Sequence, residues 1–271
     1  MRLTFENRYG MMVCRIPTHI YLRPHPALRP FVAHYTICIP AGGLPTGGTL
    51  DLIPDASGCL VFSLLPGGLE GQMYGPTTRV VTVNADFGIH PFRFFVEFKP
   101  GGLGYFTRVA QWELADGVFP LRDTAPALDS TVSRLFACCA DLDGFAHAVD
   151  AALAANAPQP GPFLPMLRAL SAGPGVAAVG ELAEDTGYSR RHLGRLFREG
   201  TGLSAKRFSR VLRINEAVRR LSTAPSLTAL SQDLGYFDQP HFIHDFRSVT
   251  SVSPGEYLAR LSCFYNEPLK F

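Results

Sequence analysis

The 271-residue chain is poor in the features that mark several large protein classes. No uncharged apolar run approaches the ~18 residues needed to cross a bilayer, which excludes a spanning helix and leaves no membrane partner to expect. The opening stretch, MRLTFENRYGMMVCRIPTHI, has scattered charges and no clean apolar segment, so no secretory signal is expected there. Six cysteines (Cys14, Cys38, Cys59, Cys138, Cys139, Cys263) include no CxxC pair and are too sparse for a disulfide scaffold. Reduced thiols in a cytoplasmic protein are the simplest account. There is no GxSxG, GxxxxGK or HExxH, and no paired-carboxylate motif. The chain therefore reads as a non-enzyme with no catalytic residues and no cofactor.

What is present divides unevenly. With 46% hydrophobic and 18% charged residues, the chain can bury a sizeable core. Eighteen of the 22 prolines lie at or before Pro174. The front part reads as short strands between Gly/Pro turns, at His19–Leu22, Val32–Ile39, Cys59–Leu64, Arg79–Val83 and Arg93–Lys99. PAGGLPTGG and LPGGLEG are its turn clusters, and a β-sandwich or small barrel is the expected fold. From about Ala127 the pattern turns helical, with Leu128, Val132, Leu135 and Phe136, then Phe145, Val149 and Leu153, at helical spacing. APQPGP (Ala157–Pro162) is a stiff linker. A short helix from Phe163 to Ala172 follows, ended by Gly173–Gly175. The expected organisation is a β-rich sensing or oligomerising domain with a helical extension (1–156), a linker (157–162), an all-helical domain (163–262) and a tail (263–271).

Charge is concentrated. Ser189 to Arg220 carries ten basic residues against two acidic ones, a net +8 in a chain whose total is +2. A solvated helix surface is the ordinary reading of a charge run, but an excess this large is the footprint of a polyanion-binding face. The same region holds half of an internal repeat. LAEDTGYS (Leu182–Ser189) matches LSQDLGYF (Leu230–Phe237) 48 residues later. After one inserted residue, Leu193 and Phe197 align with Phe242 and Phe246 at an offset of 49, and TGLSAKRF aligns with TSVSPGEY. Each copy reads as a helix, a Gly turn, a second helix and a capped third. Ser253 to Glu256 forms a capping box with Pro254 at the first helical position.

A helix-turn-helix needs a small residue near the end of its first helix, a glycine free to adopt positive φ, and a second helix with one packed face. The first unit supplies Ala183, Gly187 and the cap Ser189, with Leu193, Leu196 and Phe197 inward and Arg191, Gly194, Arg195 and Arg198 outward. The second supplies Leu230, Leu234, Gly235 and the cap Asp238, with Phe242 and Phe246 inward. Its outward positions are Gln239, Pro240, His241, Ile243, His244 and Arg247. Between them, Phe208, Val211, Leu212, Asn215 and Val218 form a buried stripe on a helix from about Ala205 to Leu221, with Arg207, Arg210, Arg213 and Arg220 largely elsewhere. Such a bridge spans ~25 Å, so the second helices could sit near the ~34 Å of one DNA turn.

GELAEDTGYSRRHLGRLFREGTGLSAKRF, the R..RINEAVRRL helix and GYFDQPHF...F....SVSPGEYL together resemble the AraC/XylS family of bacterial transcription regulators over about Phe163–Leu261. HPALRPFVAHY, DASGCLVFSL and FKPGGLGYF more loosely resemble the N-terminal β-rich domain of some members. The resemblance implies a regulator that reads a double-stranded DNA operator with the second helix of each unit. The matching base-reading positions are Arg190, Arg191 and Arg195 in the first unit and Gln239, His241 and His244 in the second. Ser189, Arg198, Lys206 and Arg247 are the expected phosphate contacts. RNA polymerase as a partner follows only from the resemblance. A small-molecule effector of unknown site and a homodimer are left open. Three departures stand out: Gly194 has no side chain to read with, His244 stands where Arg is frequent, and Ser251 replaces a common glycine.

The alternative reading is a cupin-like β-barrel metal-binding protein or enzyme with a DNA-binding appendage. Its support is His90 and Glu97 in GIHPFRFFVEF, short of the three ligands a metal wants, so no metal is expected. A non-specific architectural DNA-binding protein is a third reading. Cys138 and Cys139 read as small buried thiols on a helix, Trp112 as core, and the aromatics of RFFVEF and GYF as core packing.

Overall fold

The computed structural model describes residues 1–39, 49–84, 90–107, 109–172, 179–260 and 264–265; PAGGLPTGG and Gly173–Gly175 lie outside the described residues. The front part contains strands β1 (Met12–Arg15), β2 (His19–Leu22), β3 (Val32–Cys38), β4 (Thr49–Leu52), β5 (Cys59–Leu65), β6 (Gly68–Tyr74), β7 (Val81–Asn84), β8 (Arg93–Phe98) and β9 (Val118–Pro120). Seven form an antiparallel sheet in the order β1-β2-β3-β8-β5-β6-β9. Its centre is the pairing of β3 with β8, where Tyr35 faces Val96 and Ile37 faces Phe94. These strands are aromatic and β-branched and mostly buried, as central strands should be.

The strands expected from sequence form within one or two residues of their expected ends. LPGGLEG is a correction. It is no long turn: Leu65 pairs with Gly68 across Pro66 and Gly67, and the chain returns at once as β6. Helices α1 (Gln111–Leu114), α2 (Leu121–Thr124), α3 (Pro126–Cys138) and α4 (Leu142–Ala155) follow. The apolar stripes of α3 and α4 close the core against the sheet: Phe145 meets Phe94 at 5.1 Å, and Phe136 meets Phe92 at 5.6 Å. The RFFVEF aromatics Phe94 and Phe98 are core, as expected.

The remainder is helical: α5 (Phe163–Ala172), α6 (Val179–Thr186), α7 (Arg190–Thr201), α8 (Ala205–Arg220), α9 (Leu227–Asp233), α10 (Gln239–Thr250) and α11 (Pro254–Ala259). It has two apolar cores. One gathers Leu167 of α5, Leu182, Leu193 and Phe197; the other gathers Leu230, Leu234, Phe242, Phe246 and Tyr257. The long helix α8 serves both, giving Phe208 and Val211 to the first and Ile214 and Val218 to the second.

The two parts are not merely tethered. The segment after β4 wedges against α8 where its two faces meet. Ile53 is buried in the second helical core and Ala56 in the first. Between them the Pro54 carbonyl accepts from Asn215 Nδ2 at 3.1 Å. This bond explains a buried polar residue within the apolar stripe of α8. Val80 N–H donates to the Val249 carbonyl at 3.0 Å. Strand β10 (Phe264–Tyr265), lying where a tail was expected, pairs in parallel with β4 and makes a three-stranded sheet with β7.

Candidate nucleic-acid interface

The two repeats fold alike for local reasons. Gly187 and Gly235 take φ of 68° and 72°, letting the chain turn sharply out of α6 and α9. Ser189 then accepts from His192 N–H at 3.2 Å, and Asp238 from His241 N–H at 2.8 Å, so each second helix starts from a side-chain cap. Thr201 and Thr250 close both helices with the same pair of bonds, to the carbonyls of Phe197 and Leu203 and of Phe246 and Val252. The left-handed residue that follows is Gly202 in one unit and Ser251 in the other, at φ 75° and 66°. Ser251 is therefore no neutral replacement: a residue with a Cβ holds a conformation that glycine adopts without strain.

On α7, Arg190, Arg191 and Arg195 are all exposed, as is the N-cap Ser189. Arg195 Nη2 lies 3.2 Å from His192 Nδ1, so its guanidinium is steered along the outer face. A Cβ added at Gly194 would meet open space. Lys206 is exposed in the first turn of α8. Arg198 is also exposed, but sits over the Trp112 ring at 5.6 Å. Trp112, expected in the core, is thus partly open to solvent and touches α7 from the front part.

On α10, His244 and Arg247 are exposed. His241 stands edge-on to Tyr236 at 5.2 Å. Gln239 is half-buried and its Oε1 accepts from Thr228 Oγ1 at 2.7 Å. Ile243 is a correction, since it packs against the second core instead of facing out. The one-residue insertion between the repeats is Phe237, which is 93% exposed at the lip of α10. Sequence reasoning passed over it, although the insertion was the signal.

The basic run also needs correction. Arg210 Nε binds Asp245 Oδ1 at 3.1 Å and Arg213 lies 3.9 Å from Oδ2 of the same carboxylate, which is buried on α10. Tyr236 Oη donates to Oδ2 at 3.3 Å, and the Arg213 guanidinium lies 4.7 Å from the Tyr236 ring centroid. These two arginines fasten α10 to α8. Arg219 pairs with Glu216 and Arg220 with Asp233. Of the ten basic residues in this run, the six outside these ion pairs among the described residues are Arg190, Arg191, Arg195, Arg198, Lys206 and Arg207, all on α7 or the start of α8.

Elsewhere, Cys138 is exposed, against expectation, while the Cys38 thiol is buried and pushed up to about 11 by desolvation. Glu97 is buried on β8 opposite His34 and Cys59. Among the described residues no three His, Cys, Asp or Glu side chains converge to hold a metal, and no helix is long and apolar enough to cross a membrane.

Two capped, outward-facing second helices on one bridging helix define a double helix-turn-helix domain. Residues 182–260 match the helix-turn-helix domain family. The chain is 32% identical over 85 residues to the HTH-type transcriptional regulator NimR of Escherichia coli (strain K12), a match spanning 31% of this chain and 31% of NimR. Solved structures also match parts of the chain. The C-terminal domain of AraT, a response regulator from Geobacillus stearothermophilus, has a TM-score of 0.30 at 24% identity, covering 35% of this chain and 77% of AraT's. ToxT from Vibrio cholerae has a TM-score of 0.42 at 10% identity, covering 80% of this chain and 95% of ToxT's. Within the helix-turn-helix class, residues 182–260 are a domain of the AraC/XylS type.

Proposed function

We propose that this protein is a sequence-specific DNA-binding transcription regulator whose helices α7 and α10 enter successive major grooves of a double-stranded operator. The observation that carries this reading is the pair of capped helices presented outward from one bridging helix, the first bearing exposed Arg190, Arg191 and Arg195. Arginine forks match the guanine edge bidentately, and helix α7 carries four of the six cations of the basic run that lie outside its ion pairs among the described residues. Gln239, His241 and His244 read from α10, with fewer and weaker bonds. Ser189, Arg198, Lys206 and Arg247 hold phosphates. Phe237 packs on a sugar or thymine methyl beside the second half-site, since it is exposed and immediately precedes the cap of α10.

Residues 1–156 act as the sensing or oligomerising part and 163–262 as the DNA-binding part, joined at 157–162, in the cytoplasm. Effector binding, a homodimer and contact with RNA polymerase belong to the same reading. The test is selection of bound duplexes from a random pool at two salt concentrations. The reading expects enrichment of one motif with two half-sites about one DNA turn apart, and affinity that falls steeply with salt. Uniform recovery of all sequences would instead favour an architectural role.

A further inference from the structure

A cleft of about 650 Å³ opens where the front part meets α5, lined among others by Pro26, Arg29, Pro30, Lys99, Leu167 and Arg168. Three cations meet there from three separate segments, and among the described residues none of them has a carboxylate partner. The arrangement is built. Arg29 Nε reaches the Pro24 carbonyl at 3.4 Å, and Arg168 Nη2 reaches the Arg29 carbonyl at 3.5 Å. Lys99 is fixed by its backbone, donating to the Phe31 carbonyl at 2.7 Å and accepting from Gly102 N–H at 2.8 Å. Gly101, at φ 77°, lets that turn sit against Leu167 of α5.

Like charges gathered without a counter-ion repel one another, and that cost is repaid when an anion arrives. Burial lowers the Lys99 pKa, and the nearby Arg168 and Arg29 lower it further. Two guanidinium groups suit the oxygens of a phosphate, while Pro26, Pro30 and Leu167 offer an apolar wall to an organic body. We infer that this cleft binds a small organic dianion of the phosphate-monoester class, bridging Arg29 and Lys99 of the front part to Arg168 of α5. Because α5 packs in the core of the first helix-turn-helix unit through Leu167 and Leu170, occupancy bears on the placement of α7. That consequence rests on the regulator reading above; binding itself does not.

The test is calorimetry on the full chain at pH 7.5 without DNA, with phenyl phosphate as the probe. Phenyl phosphate should bind, inorganic phosphate should bind more weakly, and phenol should give no heat. Lys99→Gln and Arg168→Gln should each weaken phenyl phosphate at least tenfold while keeping the wild-type circular dichroism melt. Arg195→Ala, on the proposed DNA-facing helix, should leave the heat in place. No binding at millimolar phenyl phosphate overturns the inference. So does equal binding by all the variants, or loss of binding in Arg195→Ala alone, which would mean an anion on the DNA face. If the Lys99 and Arg168 variants instead lower DNA affinity and flatten its salt dependence, the cluster is a DNA phosphate contact and the inference fails. Operator selection, run separately, decides the regulator reading whatever the calorimetry shows.

Discussion

Replacing Asp245 by alanine separates two accounts of the basic run. Its carboxylate is buried and takes a 3.1 Å hydrogen bond from Arg210, a 3.9 Å ion pair with Arg213 and a bond from Tyr236. A hydrogen bond to a charged group contributes ~1.5–3 kcal/mol, and breaking a fully buried pair costs more. The Arg210 and Arg213 side chains remain 36% and 22% exposed, so water screens part of the loss. Asp245→Ala should therefore cost ~2 kcal/mol of stability, read as a lower urea midpoint, while α10 loosens on α8. Specific DNA affinity should fall several-fold although Asp245 faces no groove and its removal makes the domain more positive. If Arg210 and Arg213 faced DNA, freeing them would tighten binding. Unchanged stability with tighter binding would refute the assignment.

Three further outcomes follow from particular residues. Ser251→Gly should raise stability by about 1 kcal/mol in urea or thermal unfolding, because glycine accepts φ 66° freely; a loss would show the strain to be absent. Lys206→Ala should weaken all duplexes alike and reduce the slope of log K against log[salt] by roughly 0.9, and an unchanged slope would remove Lys206 from the phosphate contacts. Phe237→Ala should lower operator affinity severalfold without a change in unfolding midpoint, since the ring is 93% exposed. A changed midpoint with unaltered DNA binding would make it a structural residue.

The helix-turn-helix units were legible because everything that defines them is local. Gly187 and Gly235, the caps Ser189 and Asp238, and the inward Phe197 and Phe246 all lie within a short stretch of each repeat. Periodicity also placed Arg210 and Arg213 off the buried stripe of α8, but it cannot say what lies opposite, and Asp245 arrives from another helix. The wedge was beyond reach for the same reason. Asn215 and Pro54 are 161 residues apart, and a single polar residue in an apolar stripe does not name its partner. Strand β6 hid behind its glycines, which read as turn. Trp112 read as core because a lone tryptophan usually is; here it lies between the two parts of the protein beneath Arg198.

The central claim is that the operator is read unequally, chiefly by Arg191 and Arg195 on α7 and less by Gln239, His241 and His244 on α10. A base-by-base substitution profile of the selected operator, measured at pH 7.5 for wild type, Arg195→Ala and His244→Ala, tests it most directly. Each good bidentate arginine–guanine contact is worth ~1–3 kcal/mol against a wrong base. Arg195→Ala should flatten the profile at one or two positions of its half-site and lose specific affinity, with non-specific binding falling less. His244→Ala should leave its own half-site nearly as selective as before. The claim is contradicted if His244→Ala erases selectivity at its half-site while Arg195→Ala leaves the other intact.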